Sequence, residues 1–234
     1  MGTIINVIAI IAGGIGGLLF GKQMKSRYQD TLMSAAGVCV LFLGIAGTME
    51  QMLLIHEQRL QSQGTMMMIA SLAIGALLGE LLNIEDAMER FGQWLKQKTK
   101  SEGDTRFVDA FVTASLTVCI GAMAVVGSIT DGLTGDTSIL VAKAVLDLII
   151  ILIMTASLGK GCMFSAIPVG LFQGSITLSA GLVEPLMTET ALQNLSLVGS
   201  ILIFCVGVNL VWGKKVKVAN LLPSLVIAVG WAFL

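Results

Sequence analysis

The chain has 234 residues, 55% hydrophobic and only 12% charged, with a formal net charge of −1 and a mean hydropathy of +0.89. A soluble domain of this length carries roughly 25% charged residues, and apolar runs long enough for a ~30 Å hydrocarbon core recur from end to end. The composition excludes a soluble globular protein and predicts an all-α polytopic membrane bundle whose first partner is the lipid bilayer, with no nucleic acid implied.

The first apolar run, Thr3–Phe20, has no basic n-region and no small-residue cleavage context, so it reads as a retained span and not a signal peptide. Seven further runs follow: Leu32–Thr48, Met66–Leu82, Phe107–Ile129, Ile139–Leu158, Gly161–Leu182, Leu195–Trp212 and Val218–Leu234. The connections alternate in character. One set holds Lys22, Lys25 and Arg27; then Arg90, Lys96, Lys98, Lys100 and Arg106; then Lys160; then Lys214, Lys215 and Lys217. The intervening connections, Glu50–Thr65, Thr130–Ser138 and Val183–Asn194, hold Arg59 alone. Twelve of the 14 Lys and Arg thus fall on one side. The positive-inside rule makes that side cytoplasmic and turns both termini outward. Tyr28, Trp212 and Trp231 stand at span ends, as interfacial aromatics do.

Residues 1–234 read as one integral membrane domain, with 1–82 and 83–234 as candidate sub-bundles. Between the third and fourth spans, residues 84–98 place Ile84, Ala87, Met88, Phe91, Trp94 and Leu95 on one helical face. That pattern predicts an amphipathic helix on the cytoplasmic membrane surface. Lys96, Lys98 and Lys100 behind it favour anionic lipid.

An internal repeat relates the first two spans to the next two. IGGLLFGK (Ile15–Lys22) echoes IGALLGE (Ile74–Glu80), and VCVLFLGIAGT (Val38–Thr48) aligns without gaps on VCIGAMAVVGS (Val118–Ser128). Spans five and six echo seven and eight more weakly, through a Gly-Lys turn followed by a span with Pro168 or Pro223 in its first half. Repeats of this kind are characteristic of transporter folds. Small residues also recur every four positions: Gly13, Gly17 and Gly21; Gly75 and Gly79; Gly170 and Gly174. Such rows allow close helix approach, within the chain or in a homo-oligomer.

Ionisable residues inside spans are functional candidates, because exposure to lipid is costly. Lys143 and Asp147 are i,i+4 neighbours in span five. With a helix start near Ser138, Asp147 lies nine residues in, about 14 Å at ~1.5 Å per residue. Lys143 is shallower and able to snorkel outward. The pair reads either as a working site or as a neutralising structural pair. Glu80 and Asp109 lie near the interface, where charge costs less. Before this helix, Asp131 and Asp136 read either as cation collectors at an outer mouth or as a turn (Asp131-Gly132) and a helix cap (Asp136). In span six, Pro168, Gly170, Gly174, Gln173 and Ser175 weaken the helix or offer hydrogen bonds. Asn220 and Pro223 do the same at the start of span eight. Paired Gly/Pro interruptions in repeats point to a midplane binding site, which Asn209 of span seven could join.

Cys39, Cys119, Cys162 and Cys205 all lie in apolar runs without CxxC or Cys/His spacing, so neither a disulfide framework nor a metal site is implied. His56 is the single histidine, and no nucleophile–base set or nucleotide-binding loop accompanies it. The sequence implies no enzyme and no cofactor.

GALLGELLNIE (Gly75–Glu85), CIGAMAVVGSITDGLTGD (Cys119–Asp136), Lys143 with Asp147, FQGSITL (Phe172–Leu178) and GVNLVWGKKVKVANLLPSL (Gly207–Leu225) carry a family likeness. In these stretches the chain resembles the YdfK/YqgA-like bacterial inner-membrane proteins. The resemblance implies a multi-pass inner-membrane protein with a transport-related role, and carries over no substrate and no functional residues. The expectation is a small transporter or channel for an ion or small polar solute. The alternative is a non-transporting structural or accessory membrane module in which the Lys-Asp pair only neutralises itself.

Overall fold

A computed structural model describes residues 1–23, 25–56 and 59–234. Parts of the sequence reading fall on Met24, on the Glu57–Gln58 pair and on the side chains of Lys22 and His56; these lie outside the described residues. The helices are α1 (Gly2–Gln23), α2 (Ser26–Met52), α3 (Thr65–Leu82), α4 (Ile84–Lys98), α5 (Phe107–Cys119), α6 (Ala122–Thr134), α7 (Ser138–Leu158), α8 (Ala166–Leu178), a single turn α9 (Ala180–Val183), α10 (Glu189–Trp212) and α11 (Pro223–Trp231). Turns of 3-10 helix cover Lys160–Ser165, Glu184–Leu186 and Val218–Leu221. Helices dominate because a lipid-facing segment must satisfy every backbone N–H and C=O within itself.

Among the described residues, six segments are long and apolar enough to cross a membrane, and the α5–α6 pair makes a seventh if counted as one span. The eighth apolar run is a shorter piece, Val218–Trp231, which the 3-10 turn and α11 share. This is a multi-pass helical membrane protein.

Three local readings of the sequence need correction. Phe107–Ile129 is not one helix: it breaks at Ile120–Gly121, and the two halves bend by 62°. Gly121 sits at φ +149°, which a side chain would disfavour. The helix resumes and runs on to Thr134, so Asp131 and Gly132 form no turn; both are inside α6. Pro168, Gly170 and Gly174 do not break span six. Pro168 lies in the first turn of α8, where its missing N–H has no intrahelical partner to lose, and the irregular stretch is the 3-10 turn upstream. Pro223 does mark a junction, as the first residue of α11. The connection after α2 folds into an antiparallel hairpin, β1 (Leu53–His56) with β2 (Arg59–Ser62), pairing Leu53 with Ser62. β2 is exposed throughout, so it leaves no apolar signal.

Helices pair across the sequence. α1 packs along α7, α2 along α10, and α3 against α11 and the turn before it. Residues 1–82 therefore take their main partners from beyond residue 138, and no packing boundary divides the chain near 82. The glycine rows explain the pairs. A Cβ on Gly13 would lie 2.5 Å from the Leu148 carbonyl oxygen, and one on Gly75 equally close to Ser224. Gly17 and Gly21 meet α7 backbone the same way, and Gly79 meets Asn220. In a medium as apolar as the side chains, such close van der Waals fit is what associates helices. The core between the pairs is built on Phe107, Phe111, Val118, Ile151, Met154, Val169 and Leu202.

α4 lays Gly92 and Leu95 against the bundle, with the Phe91 ring 5.7 Å from that of Phe111. Trp94 stays half exposed on the outer side. Its buried acid, Glu85, ties it to the α10–α11 connection. Glu85 Oε1 pairs with Lys214 Nζ at 2.9 Å, and Oε2 accepts the Ala219 N–H at 3.0 Å. Lys214 also reaches Glu89. Burial pulls Lys214 down, but its hydrogen bonds to Glu89 and Glu85 outweigh this and hold it above the usual lysine range.

Candidate functional site

Polar side chains from three helices meet in the interior around Asp147. α7 begins at Ser138, so Asp147 lies nine residues along a 21-residue helix, close to its middle. Lys143 does not snorkel outward. Its Nζ donates to both Asp147 oxygens, at 2.9 and 2.7 Å, and to the Val118 carbonyl at 2.8 Å. Lys143 and Asp147 are 7% and 3% exposed. The break at Ile120–Gly121 makes this geometry available. It ends α5 early, so the Val118 carbonyl belongs to a last turn with no intrahelical donor of its own. The negative end of the α5 dipole then faces the ammonium.

Two amides complete the cluster. Asn6 of α1 donates through Nδ2 to Asp147 Oδ2 at 2.9 Å and to Gln173 Oε1 of α8 at 3.3 Å. Both are fully buried, yet Asn6 Oδ1 and Gln173 Nε2 have no hydrogen-bond partner. An unpaired buried polar group costs about 1–3 kcal/mol. The cluster thus holds one spare acceptor and one spare donor beside a buried ion pair. Asn6 was legible in principle: it shares a helical face with Gly13, Gly17 and Gly21, at spacings of seven, four and four.

The remaining expected site residues lie elsewhere. Asp131 holds the start of α1, its Oδ2 accepting the Gly2 N–H at 2.8 Å and its carboxylate meeting the Met1 ammonium at 2.7 Å. Asp136 accepts the Ser138 N–H at 2.9 Å, serving the first turn of α7, and that bond draws its carboxyl below the usual range. Asp131 is thereby committed to the start of α1, and Asp136 keeps one carboxylate oxygen at the start of α7. Ser175 is exposed and donates to Phe172 O within α8. Asn209 does not reach the midplane: its Oδ1 accepts the Lys215 and Val216 N–H groups where α10 ends. Asn220 also belongs to the basic-side connection, accepting the Glu85 N–H at 2.7 Å and donating to Glu80 at 2.7 Å. Lys217 pairs with Glu80 at 2.7 Å, which raises Lys217.

Two cavities approach the cluster from opposite ends. On the basic side, about 630 Å³ lies between α1, the Lys100–Arg106 loop and the end of α7, with Thr155 at its wall. On the other side, about 380 Å³ is bordered by Thr3 and Val7 of α1 and by Gly170 and Gly174 of α8, the neighbours of Asn6 and Gln173. Neither is lined by Lys143 or Asp147. Among the described residues, no group of three His, Cys, Asp or Glu is placed to hold a metal ion.

The model of the family described as "Protein of unknown function (DUF554)" matches residues 1–233. The chain belongs to that family. This DUF554 chain is 35% identical over 226 residues to the uncharacterized membrane protein YdfK of Bacillus subtilis (strain 168), covering 97% of the chain and 93% of the relative. It is 28% identical over 232 residues to the uncharacterized protein YqgA of Escherichia coli (strain K12), covering 97% and 94%. No solved structure matches. Both relatives had been expected from the motifs in the chain, and both align over nearly its whole length.

Proposed function

We propose that this protein is a small-solute or ion transporter of the bacterial inner membrane, with the basic face cytoplasmic, and that the Asn6–Lys143–Asp147–Gln173 cluster is its central site, seen closed. The observation that carries this reading is the pair of orphaned amide atoms beside a buried ion pair at a broken helix. A purely structural network has every reason to satisfy its members, whereas a transport site must exchange partners. Lys143 serves as a built-in cation on the α5 carbonyl end. Protonating Asp147, or placing a cation beside it, would free that ammonium and loosen α7 from α1 and α5. Interrupted helices whose carbonyls face a midplane charge are how transporters hold ions within the bilayer.

One observation favours a second reading, a structural module: the pair is closed and lines neither cavity. Uptake of labelled solutes into proteoliposomes, with a pH-sensitive dye for proton movement, separates the two. Challenged with a panel of inorganic ions, carboxylates, amines and sugars, wild-type protein should carry at least one of them above the rate of empty vesicles. Folded Asp147→Asn protein should lose that flux. No flux of any solute by wild-type protein would leave the structural module as the reading.

A further inference from the structure

We propose that the 630 Å³ cavity on the basic face binds a small oxyanion of the phosphate class, through Lys100, Arg106, Lys160 and the hydroxyl of Thr155. These four come from two separate stretches, the loop before α5 and the α7 end with its following turn, and meet only in the folded chain. Three cations face one carboxylate, Asp104, and that carboxylate already accepts the Arg106 backbone N–H at 3.1 Å. Among the described residues, none of the three cations is ion-paired. Thr155 is 2% exposed, and its Oγ1 has no oxygen or nitrogen partner, only the Cys162 thiol beside it. Its neighbour Ser157 is already committed to the Ile153 and Met154 carbonyls, and Gln29 to the Gly21 carbonyl.

Apart from the second Asp104 oxygen, the charged side chains still unengaged are donors, and the net charge of the lining is positive. Such a set suits a ligand made only of acceptors with more than one negative charge, and charge-assisted hydrogen bonds to phosphate oxygens are among the strongest available. The loop is shaped to present them. Lys100 is held at φ +50°, between Ser101 N–H bonded to Lys96 O at 2.9 Å and its own N–H bonded to Gln97 O at 3.1 Å. Gly159, at φ +101°, turns the chain from α7 into the 3-10 turn that begins at Lys160. Thr155 lies two turns from Asp147 on the same face of α7, with the fully buried Ile151 between them. The cavity thus lies on the basic side of the central cluster with Ile151 between them, and the anion site stands on its own lining and does not require that anything is transported.

Phosphate oxygens here have two sources, a free anion from solution or a phospholipid headgroup. Binding of inorganic phosphate to protein in phosphatidylcholine nanodiscs, followed by calorimetry, tests the chemistry. Wild-type protein should bind saturably and more weakly as salt rises. Arg106→Gln with Lys160→Gln should weaken binding at least about tenfold, and Thr155→Val should weaken it by a smaller factor. Lys96→Gln, outside the cavity, should leave it unchanged. In discs containing phosphatidylglycerol, unaltered phosphate affinity assigns the site to the free anion. Competition, together with phosphatidylglycerol retained in native mass spectra by wild type and lost by the double variant, assigns it to the headgroup. Folded wild-type protein that binds no phosphate and retains no lipid in a cation-dependent way would overturn the proposal, as would binding indifferent to the double variant.

Discussion

Replacing Asp147 by Asn removes a charge while keeping the shape of the side chain, and the surroundings set the consequence. The carboxylate receives three hydrogen bonds, two from Lys143 and one from Asn6. An amide in its place offers one acceptor and adds donors that face other donors. Lys143, 7% exposed, would keep the Val118 carbonyl but lose its counter-charge. Breaking one side of a buried ion pair costs about 3–5 kcal/mol in soluble proteins, whereas replacing both sides by apolar residues is close to neutral. Interhelical hydrogen bonds in membranes are worth less, about 0.6 kcal/mol on average, so we take about 3 kcal/mol for each single variant, Asp147→Asn, Asp147→Leu and Lys143→Met. The double variant Lys143→Met/Asp147→Leu should lose no more than about 1 kcal/mol. That leaves a coupling energy of several kcal/mol in a double-mutant cycle, measured by reversible unfolding in mixed micelles. Single variants that each cost under about 1 kcal/mol and add independently would refute a tightly held, desolvated pair.

Other outcomes follow from the same structure. Gly13→Ala should separate α1 from α7, because its Cβ would lie 2.5 Å from Leu148 O; a loss of about 1–3 kcal/mol is expected. Gly174→Ala, with nothing within 4 Å, should instead gain up to about 1 kcal/mol from helix propensity; thermal melting in detergent compares the two. Lys214 has a raised pKa, so its hold on Glu85 and Glu89 is complete below the ordinary lysine value and is lost only as pH rises through the raised one. Iodide quenching of Trp94, with Trp212 and Trp231 replaced by Phe, should therefore stay flat from neutral pH to about 10. It should then rise above that range, whereas Lys214→Met protein should start high and show no such rise.

The parts of this fold that the sequence declares are those where chemistry is local. Long runs such as Ser138–Leu158 are apolar but for the Lys143–Asp147 pair and a few hydroxyls, and residues 84–98 alternate faces with a helical period, so their extents are readable. Lys143 and Asp147 were visible because charge is rare in a span. The break at Ile120–Gly121 was not, since Cys-Ile-Gly is as apolar as its surroundings and nothing there forbids a continuous helix. Asp131 was misplaced for the same reason: a turn-forming Asp-Gly pair was buried by tertiary contact, where α1 needed an acceptor for its first N–H. Asn6 and Thr155 passed unnoticed because their significance lies in partners 141 and more residues away, or in having no oxygen or nitrogen partner. Asn209 and Asn220 look like midplane ligands in sequence, but each is consumed by backbone groups at helix ends that need partners.

Transport requires the central cluster to be a working site and not only a fastening. Flux through proteoliposomes containing the Lys143→Met/Asp147→Leu variant, beside wild type and across the same solute panel, tests this most directly, because that variant should fold nearly as well as wild type. Wild type should show flux and the folded double variant none. Equal flux by both proteins would contradict a working role for the cluster.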